Sequence, residues 1–78
     1  MNLEITTPDK IIFEGEVNLV QLPGTNGSFE LLNNHAPMIS ALKKGKIKIK
    51  DKKRNIRFFE INGGIIEVLK NKVLVLAE

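Results

Sequence analysis

The 78-residue chain contains no cysteine, no tryptophan and no tyrosine, one histidine and three prolines. Without cysteine there is neither a disulfide nor a thiolate metal site. A domain of this size buries only about 60% of its chain surface, so support must come from dense apolar packing or from a partner subunit. The same lack is expected of a reducing, intracellular setting. Long apolar runs are missing too, and nothing approaches the roughly 20 residues of a membrane span. The opening MNLEITTPDK has an acidic residue where a secretory leader would have its apolar stretch. A soluble chain with no signal peptide and no direct membrane insertion is expected. Helical periodicity is absent over any three turns.

What is present repeats at period two. Nine short β-rich segments, at 3–5, 11–13, 17–22, 28–32, 38–42, 47–50, 56–61, 65–69 and 73–77, are separated by turn signals. The signals are Pro8-Asp9, Gly15, Pro23-Gly24, Asn26-Gly27, Asn33-Asn34, Gly45, Asp51 to Asn55, Asn62 to Gly64 and Asn71. Such intervals suit hairpins and are too short for crossover helices. They predict one all-β domain over residues 1–78, a sandwich or flattened barrel of two sheets with nine or ten strands. Within VNLVQL the apolar parity shifts between Leu19 and Val20, which predicts a bulge or bend where a strand leaves one sheet for the other. The segments IIEVL and VLVLA are apolar on both faces, which points to an exposed protein-binding surface.

Charge is unevenly spread. Residues 43–57, KKGKIKIKDKKRNIR, hold nine of the twelve Lys and Arg against Asp51 alone, while the remainder has three basic and eight acidic side chains. A basic block can track phosphates, so a small basic β-barrel binding single-stranded nucleic acid is the alternative reading. Against it, no aromatic residue lies between Phe29 and Phe58 to stack bases. Lys46, Lys48 and Lys50 alternate with Ile47 and Ile49, as on the solvent face of a strand. Lysines so placed would also guard a sheet edge.

Catalytic patterns fail one by one. Gly45-Lys46 has Ser40 where a phosphate loop needs its first glycine and Ile47 where it needs Ser or Thr. Gly63-Gly64 has no helix behind it and is read as a hairpin corner with positive φ. The carboxylates Glu14, Glu16, Glu60 and Glu67 are scattered as surface acids. His35 lacks a cysteine or second histidine to share a metal, and Ser28 and Ser40 become its nucleophile only by coincidence of folding. No active site, cofactor or metal is expected. The segment NNHAPM is instead a stiff loop: Asn33 and Asn34 tolerate left-handed backbone, Pro37 fixes its own φ, and Ala36 is pushed towards extended conformation. Stiff loops lose little entropy on docking.

Taken in order, ITTPDKIIFEGEV, LPGTNGSFELLNNHAPMISALKKGKIKI and FFEINGGIIEVLKNKVLVLAE resemble the epsilon subunit of F-type rotary ATP synthases along the whole chain. The resemblance implies a ten-stranded β-sandwich that packs on the gamma subunit and rests on the polar loops of the membrane c-ring, turning with both. It implies a peripheral position at the cytoplasmic face of a bacterial plasma membrane and a non-catalytic part in proton-driven ATP synthesis. His35, Ala36 and Pro37 match the family's HAP motif, in the region facing gamma and the ring. Thr25, Asn26, Ser28 and Glu30 match the turn that reaches the ring loops, and Asn34 and Met38 flank the motif.

Departures from the pattern shift emphasis. Ser28 stands where an acid is common, so Glu30 is expected to meet the ring, with Ser28 supplying a hydrogen bond. Lys44 replaces the usual proline before Gly45. Leu19 and Leu74 replace polar side chains and are expected to enlarge the apolar contact. Longer family members continue into a helical hairpin that binds ATP in some and inhibits hydrolysis in others. A chain stopping at Glu78 is expected to have neither activity.

Overall fold

Alternation at period two becomes seven strands and no helix in the computed structural model, which describes residues Met1–Glu78. They are β1 (Asn2–Thr6), β2 (Ile11–Glu16), β3 (Leu19–Gly24), β4 (Gly27–Leu32), β5 (Met38–Lys50), β6 (Ile56–Leu69) and β7 (Lys72–Ala77). Hydrogen bonding joins them in the order β2-β1-β7-β6-β5-β3-β4. All neighbours are antiparallel except β1 and β7.

One sheet becomes two layers because β5 and β6 are long and bent. Their ladder keeps a single register from Met38 opposite Val68 to Lys50 opposite Ile56, and only Lys44 and Asn62 fall out of it. Beyond that corner, the late half of β5 pairs with β3, and the late half of β6 pairs with β7. The first layer is therefore β4, β3, late β5 and early β6. The second is early β5, late β6, β7, β1 and β2. Val20, Leu22, Leu31, Ile47, Ile49 and Ile61 from the first layer meet Leu3, Ile5, Leu42, Ile66, Val68, Val73 and Val75 from the second in one buried core. Each fully buried aliphatic contributes about 1.5–3 kcal/mol.

Two glycines make the corner possible. A Cβ on Gly64 would lie 2.3 Å from the Leu76 carbonyl oxygen, and its φ is 153°. A Cβ on Gly45 would lie 2.8 Å from Pro23 Cβ. The expected positive φ at Gly63 and Gly64 is therefore present, but the expected hairpin corner is not. Those residues, like Gly45, Gly15 and Pro23-Gly24, lie inside strands. This corrects the strand count: 38–42 with 47–50, and 56–61 with 65–69, are single strands, giving seven rather than ten.

Two further expectations are corrected. Val17 and Asn18 precede β3, so the crossing between layers is the connection itself, and the irregular register of β3 falls between Gln21 and Gly24. Late β5 is interior, paired on both sides, so its lysines guard no edge. They do face outward, with Ile47 and Ile49 buried between them. The open side of the sandwich is closed by side chains. The Arg57 guanidinium stands 5.4 Å from the Phe13 ring centre and 5.0 Å from that of Phe59, and the two rings are 5.5 Å apart. These contacts tie β2 to early β6.

The β5–β6 connection is organised by one carboxylate. Asp51 Oδ1 accepts the amides of Lys53 (2.8 Å) and Asn55 (2.9 Å), and Oδ2 accepts Asn55 Nδ2. The Asn55 amide is the main reason that the Asp51 carboxyl titrates below its ordinary value of 3.8, with the Lys53 amide and charge assisting against partial desolvation.

Two outcomes follow. Gly64→Ala is expected to lose about 2–4 kcal/mol in urea unfolding, because backbone must move. Gly27→Ala, where φ is 126° but the space is open, is expected to lose about 1 kcal/mol from backbone strain alone; equal losses would show that the corner is not sterically set. Because the folded Asp51 carboxyl is depressed, its stabilising effect is complete above the ordinary aspartate value and fades as pH falls through the lower folded value. Amide exchange at Lys53 and Asn55, corrected for intrinsic rates, should lose protection over that window, and Asp51→Asn should abolish the pH dependence.

Candidate functional site

The loop Asn33 to Pro37 is fixed by its own amides. Asn34 adopts φ 64°, a conformation its short polar side chain tolerates. Its N–H donates to Asn71 Oδ1 at 2.7 Å, from the turn between β6 and β7, where Asn71 is also left-handed. Asn33 closes no Asx turn. Its Oδ1 accepts from the Met1 amino group, which also donates to the Val17 carbonyl and lies 3.5 Å from Glu16. The loop is thus anchored at Asn33 and Asn34 by groups distant in sequence, while His35 to Pro37 are exposed. His35 is exposed, and its Nδ1 donates to the neighbouring Ala36 carbonyl at 2.7 Å, leaving Nε2 towards solvent.

The second expected element is the turn Thr25-Asn26. Gly24 pairs with Gly27 across it, and the Thr25 amide donates to the Ala41 carbonyl at 3.2 Å, anchoring the turn to early β5. Ser28 Oγ accepts from Gln21 Nε2 at 3.2 Å. Glu30 is exposed opposite Gln21 and has no ion-pair partner.

These residues do not converge. β4 runs between the two loops, and at about 3.3 Å per residue its ends are some 17 Å apart. Thr25, Asn26 and Ser28 therefore mark one end of the molecule, and Asn34, His35, Ala36 and Pro37 the other. Met38 turns inward against the core. Leu19 and Leu74 lie on opposite outer faces: Leu19 beside Leu32 and Lys50, Leu74 beside Glu67 and Glu4. They cannot serve one flat contact.

The outer face of the second layer carries the most apolar surface. Ile39 is 73% exposed, and Ile65, Leu69 and Leu76 are each about half exposed. Cross-strand pairing sets Ala41, Ile65 and Leu76 in one row and Ile39, Glu67 and Leu74 in the next. Glu67 is thus a carboxylate set into an aliphatic patch, with Lys70 and Lys72 along the same groove. A shallow groove of about 430 Å³, lined by Pro37, Met38, Ile39, Glu67, Val68 and Leu69, joins this face to the His35 loop. A second, of about 340 Å³, runs past Leu69, Lys72 and Leu74. Period-two reading found Ile65, Leu69, Leu74 and Leu76. Ile39 was missed, although its alternation with the inward Met38 and Ser40 marks it.

The first layer's outer face is different. Lys46, Lys48 and Lys50 form a column with Phe58 directly opposite Lys48 and Ile56 opposite Lys50. Phe58 is 60% and Leu32 58% exposed. The lysine face therefore has one aromatic after all, brought by strand pairing from ten residues away.

Comparison with known proteins agrees with the fold. The family "ATP synthase, Delta/Epsilon chain, beta-sandwich domain" matches residues 1–78. An ATP synthase epsilon chain of Chlorobaculum tepidum is 46% identical over 76 residues, covering 97% of this chain and 86% of the relative. One from Desulfatibacillum aliphaticivorans is 45% identical over 97% of this chain, which spans 54% of that relative. Among solved structures, a chain of the Euglena gracilis mitochondrial ATP synthase OSCP/F1/c-ring assembly superposes with a TM-score of 0.90 at 21% identity, covering 96% of this chain and 48% of that one. A chain of the Tetrahymena thermophila central stalk and c-ring assembly gives 0.80 at 21% identity, over 99% and 62%. At those identities the superpositions establish the fold.

Proposed function

Because this chain belongs to the delta/epsilon chain family of ATP synthase, whose β-sandwich domain it matches throughout, we propose that it is a non-catalytic rotor subunit coupling c-ring rotation to the gamma subunit. The observation that carries the proposal is the aliphatic outer face of the second layer, continuous with the His35 loop through one groove. A patch of that kind on a rigid sheet is a protein-docking surface. We assign it to gamma. The turn Thr25-Asn26, with Ser28 and Glu30 beside it, meets the polar loops of the ring. The subunit then sits peripherally at the cytoplasmic face of a bacterial plasma membrane.

The mechanism is mechanical. Torque crosses the domain only if the two contact regions do not move relative to each other. The turn is bonded to Ala41 in early β5, the strand that also carries Ile39, and the His35 loop is bonded to the β6–β7 turn. Both contact regions are thereby attached to the β5–β6 ladder. Dense antiparallel pairing around a close-packed core resists shear better than a hinged helical arm. At Glu30 the contact is electrostatic: an exposed carboxylate with no internal partner is free to meet a cation on the ring.

Two measurements check the assignment. Glu30→Lys in reconstituted enzyme is expected to lower ATP-driven proton pumping per ATP hydrolysed while leaving the unfolding midpoint within about 0.5 kcal/mol of the parent; unchanged coupling would reject the ring contact. Ile39→Asp with Ile65→Asp is expected to weaken co-purification with gamma by at least about tenfold, since two exposed aliphatics that the contact would cover are replaced by charges it would have to desolvate. Retention of full binding by a folded double variant would move the gamma contact to another face.

A further inference from the structure

The outer face of the first layer lies across the sandwich from the surface assigned to gamma, and it has its own composition. Lys46, Lys48 and Lys50 project from one strand about 6.7 Å apart. None takes part in an ion pair, the only one in the molecule being Met1 with Glu16. Leu19 and Leu32 flank the column on one side, and Ile56 and Phe58 on the other. Lys52, Lys53 and Arg54 extend it at the hairpin tip.

We infer that this face binds an acidic amphipathic α-helix of a protein partner. Late β5 is hydrogen-bonded on both sides, so its backbone cannot accept an added strand and recognition must run through side chains. No groove lies over Lys48, Lys50 and Phe58, and the one at Lys46 is shared with Glu60, so the occupant is met across an open surface of side chains. Carboxylates at i and i+4 of a helix are about 6 Å apart along its axis, close to the lysine spacing. An apolar residue at i+3 then falls beside that stripe, over Phe58 and Ile56, whose row lies about 4.8 Å from the lysines. Single-stranded nucleic acid fits less well, because only one exposed aromatic is available to stack successive bases. An anionic lipid surface would cover the whole face and meet both Glu60, directly opposite Lys46, and Glu30, across Gln21 from Lys48, whereas a single carboxylate stripe on a helix lies over the lysines alone.

The test uses the 78-residue chain and a synthetic helical peptide with Glu at i, i+4 and i+7 and Leu at i+3 and i+10. Saturable amide shifts are expected at residues 46–50 and 56–58. Affinity should fall about tenfold in a Lys46, Lys48, Lys50→Gln triple variant and about as much in 0.5 M salt. Lys48→Gln alone should weaken binding about threefold, which keeps the test decisive should the triple variant unfold. Lys70→Gln with Lys72→Gln, on the other side, should change nothing. Shifts confined to the Ile39 and Ile65 face, an absence of saturable binding, or tighter binding of oligouridine or of phosphatidylglycerol vesicles to residues 46–58 would each overturn the inference.

Discussion

The fold depends on a close approach of backbones at one corner. Where β5 and β6 bend, Gly64 lies against the Leu76 carbonyl and Gly45 against Pro23, at distances that admit no side chain. The ladder between the two strands continues through the bend in a single register. Two packed layers are thus made from one covalently and hydrogen-bonded strip rather than from two sheets that could slide. The core of aliphatic side chains then fills the space that the bend encloses. If either glycine were branched, the layers would have to separate at the corner, and the core would lose its contact there first.

The same bend decides which surfaces exist. Side-chain parity changes across it: in β5 the inward residues go from Leu42 to Ile47 and Ile49, and in β6 from Phe59 and Ile61 to Ile66 and Val68. Each strand therefore presents one outward set to the first layer's face and a different set to the second's. Lys46, Lys48, Lys50, Ile56 and Phe58 face one way, and Ile39, Ile65, Glu67 and Leu69 the other. Two outer faces of different composition on opposite sides of the sandwich suit the proposed part held between neighbours. In the hydrogen-bonding pattern His35 meets only its own loop, and the one displaced carboxyl, Asp51, is occupied by its own turn.

Much of this was legible from alternation alone, because a half-buried strand writes its burial directly into the sequence. All nine apolar segments lie wholly or mostly in strands, and the Asn33 to Pro37 loop is where its residue types place it. Gly45 and Gly63-Gly64 misled. Glycine serves a turn and a bent strand equally well, and what distinguishes them is a steric neighbour, Pro23 or Leu76, that sequence spacing does not reveal. The parity change from Leu42 to Ile47 was available and would have pointed to a bent strand. The candidate contact residues were legible by type but not by place: β4 separates Thr25 from His35, and the fold puts Leu19 and Leu74 on opposite faces. Phe58 could be joined to the lysines only through the β5–β6 register.

Charge follows the faces as well. The basic block becomes the column on the first layer and the hairpin beyond it. On the second layer Glu4 lies directly opposite Glu14 with no ion pair to either, and Glu67 sits within the aliphatic patch beside Lys70 and Lys72. A like-charged cross-strand pair costs stability in an isolated sheet, and a partner bearing cations would remove that cost. The two outer faces thus differ in charge and in apolar content, so a neighbour can tell one side of the domain from the other.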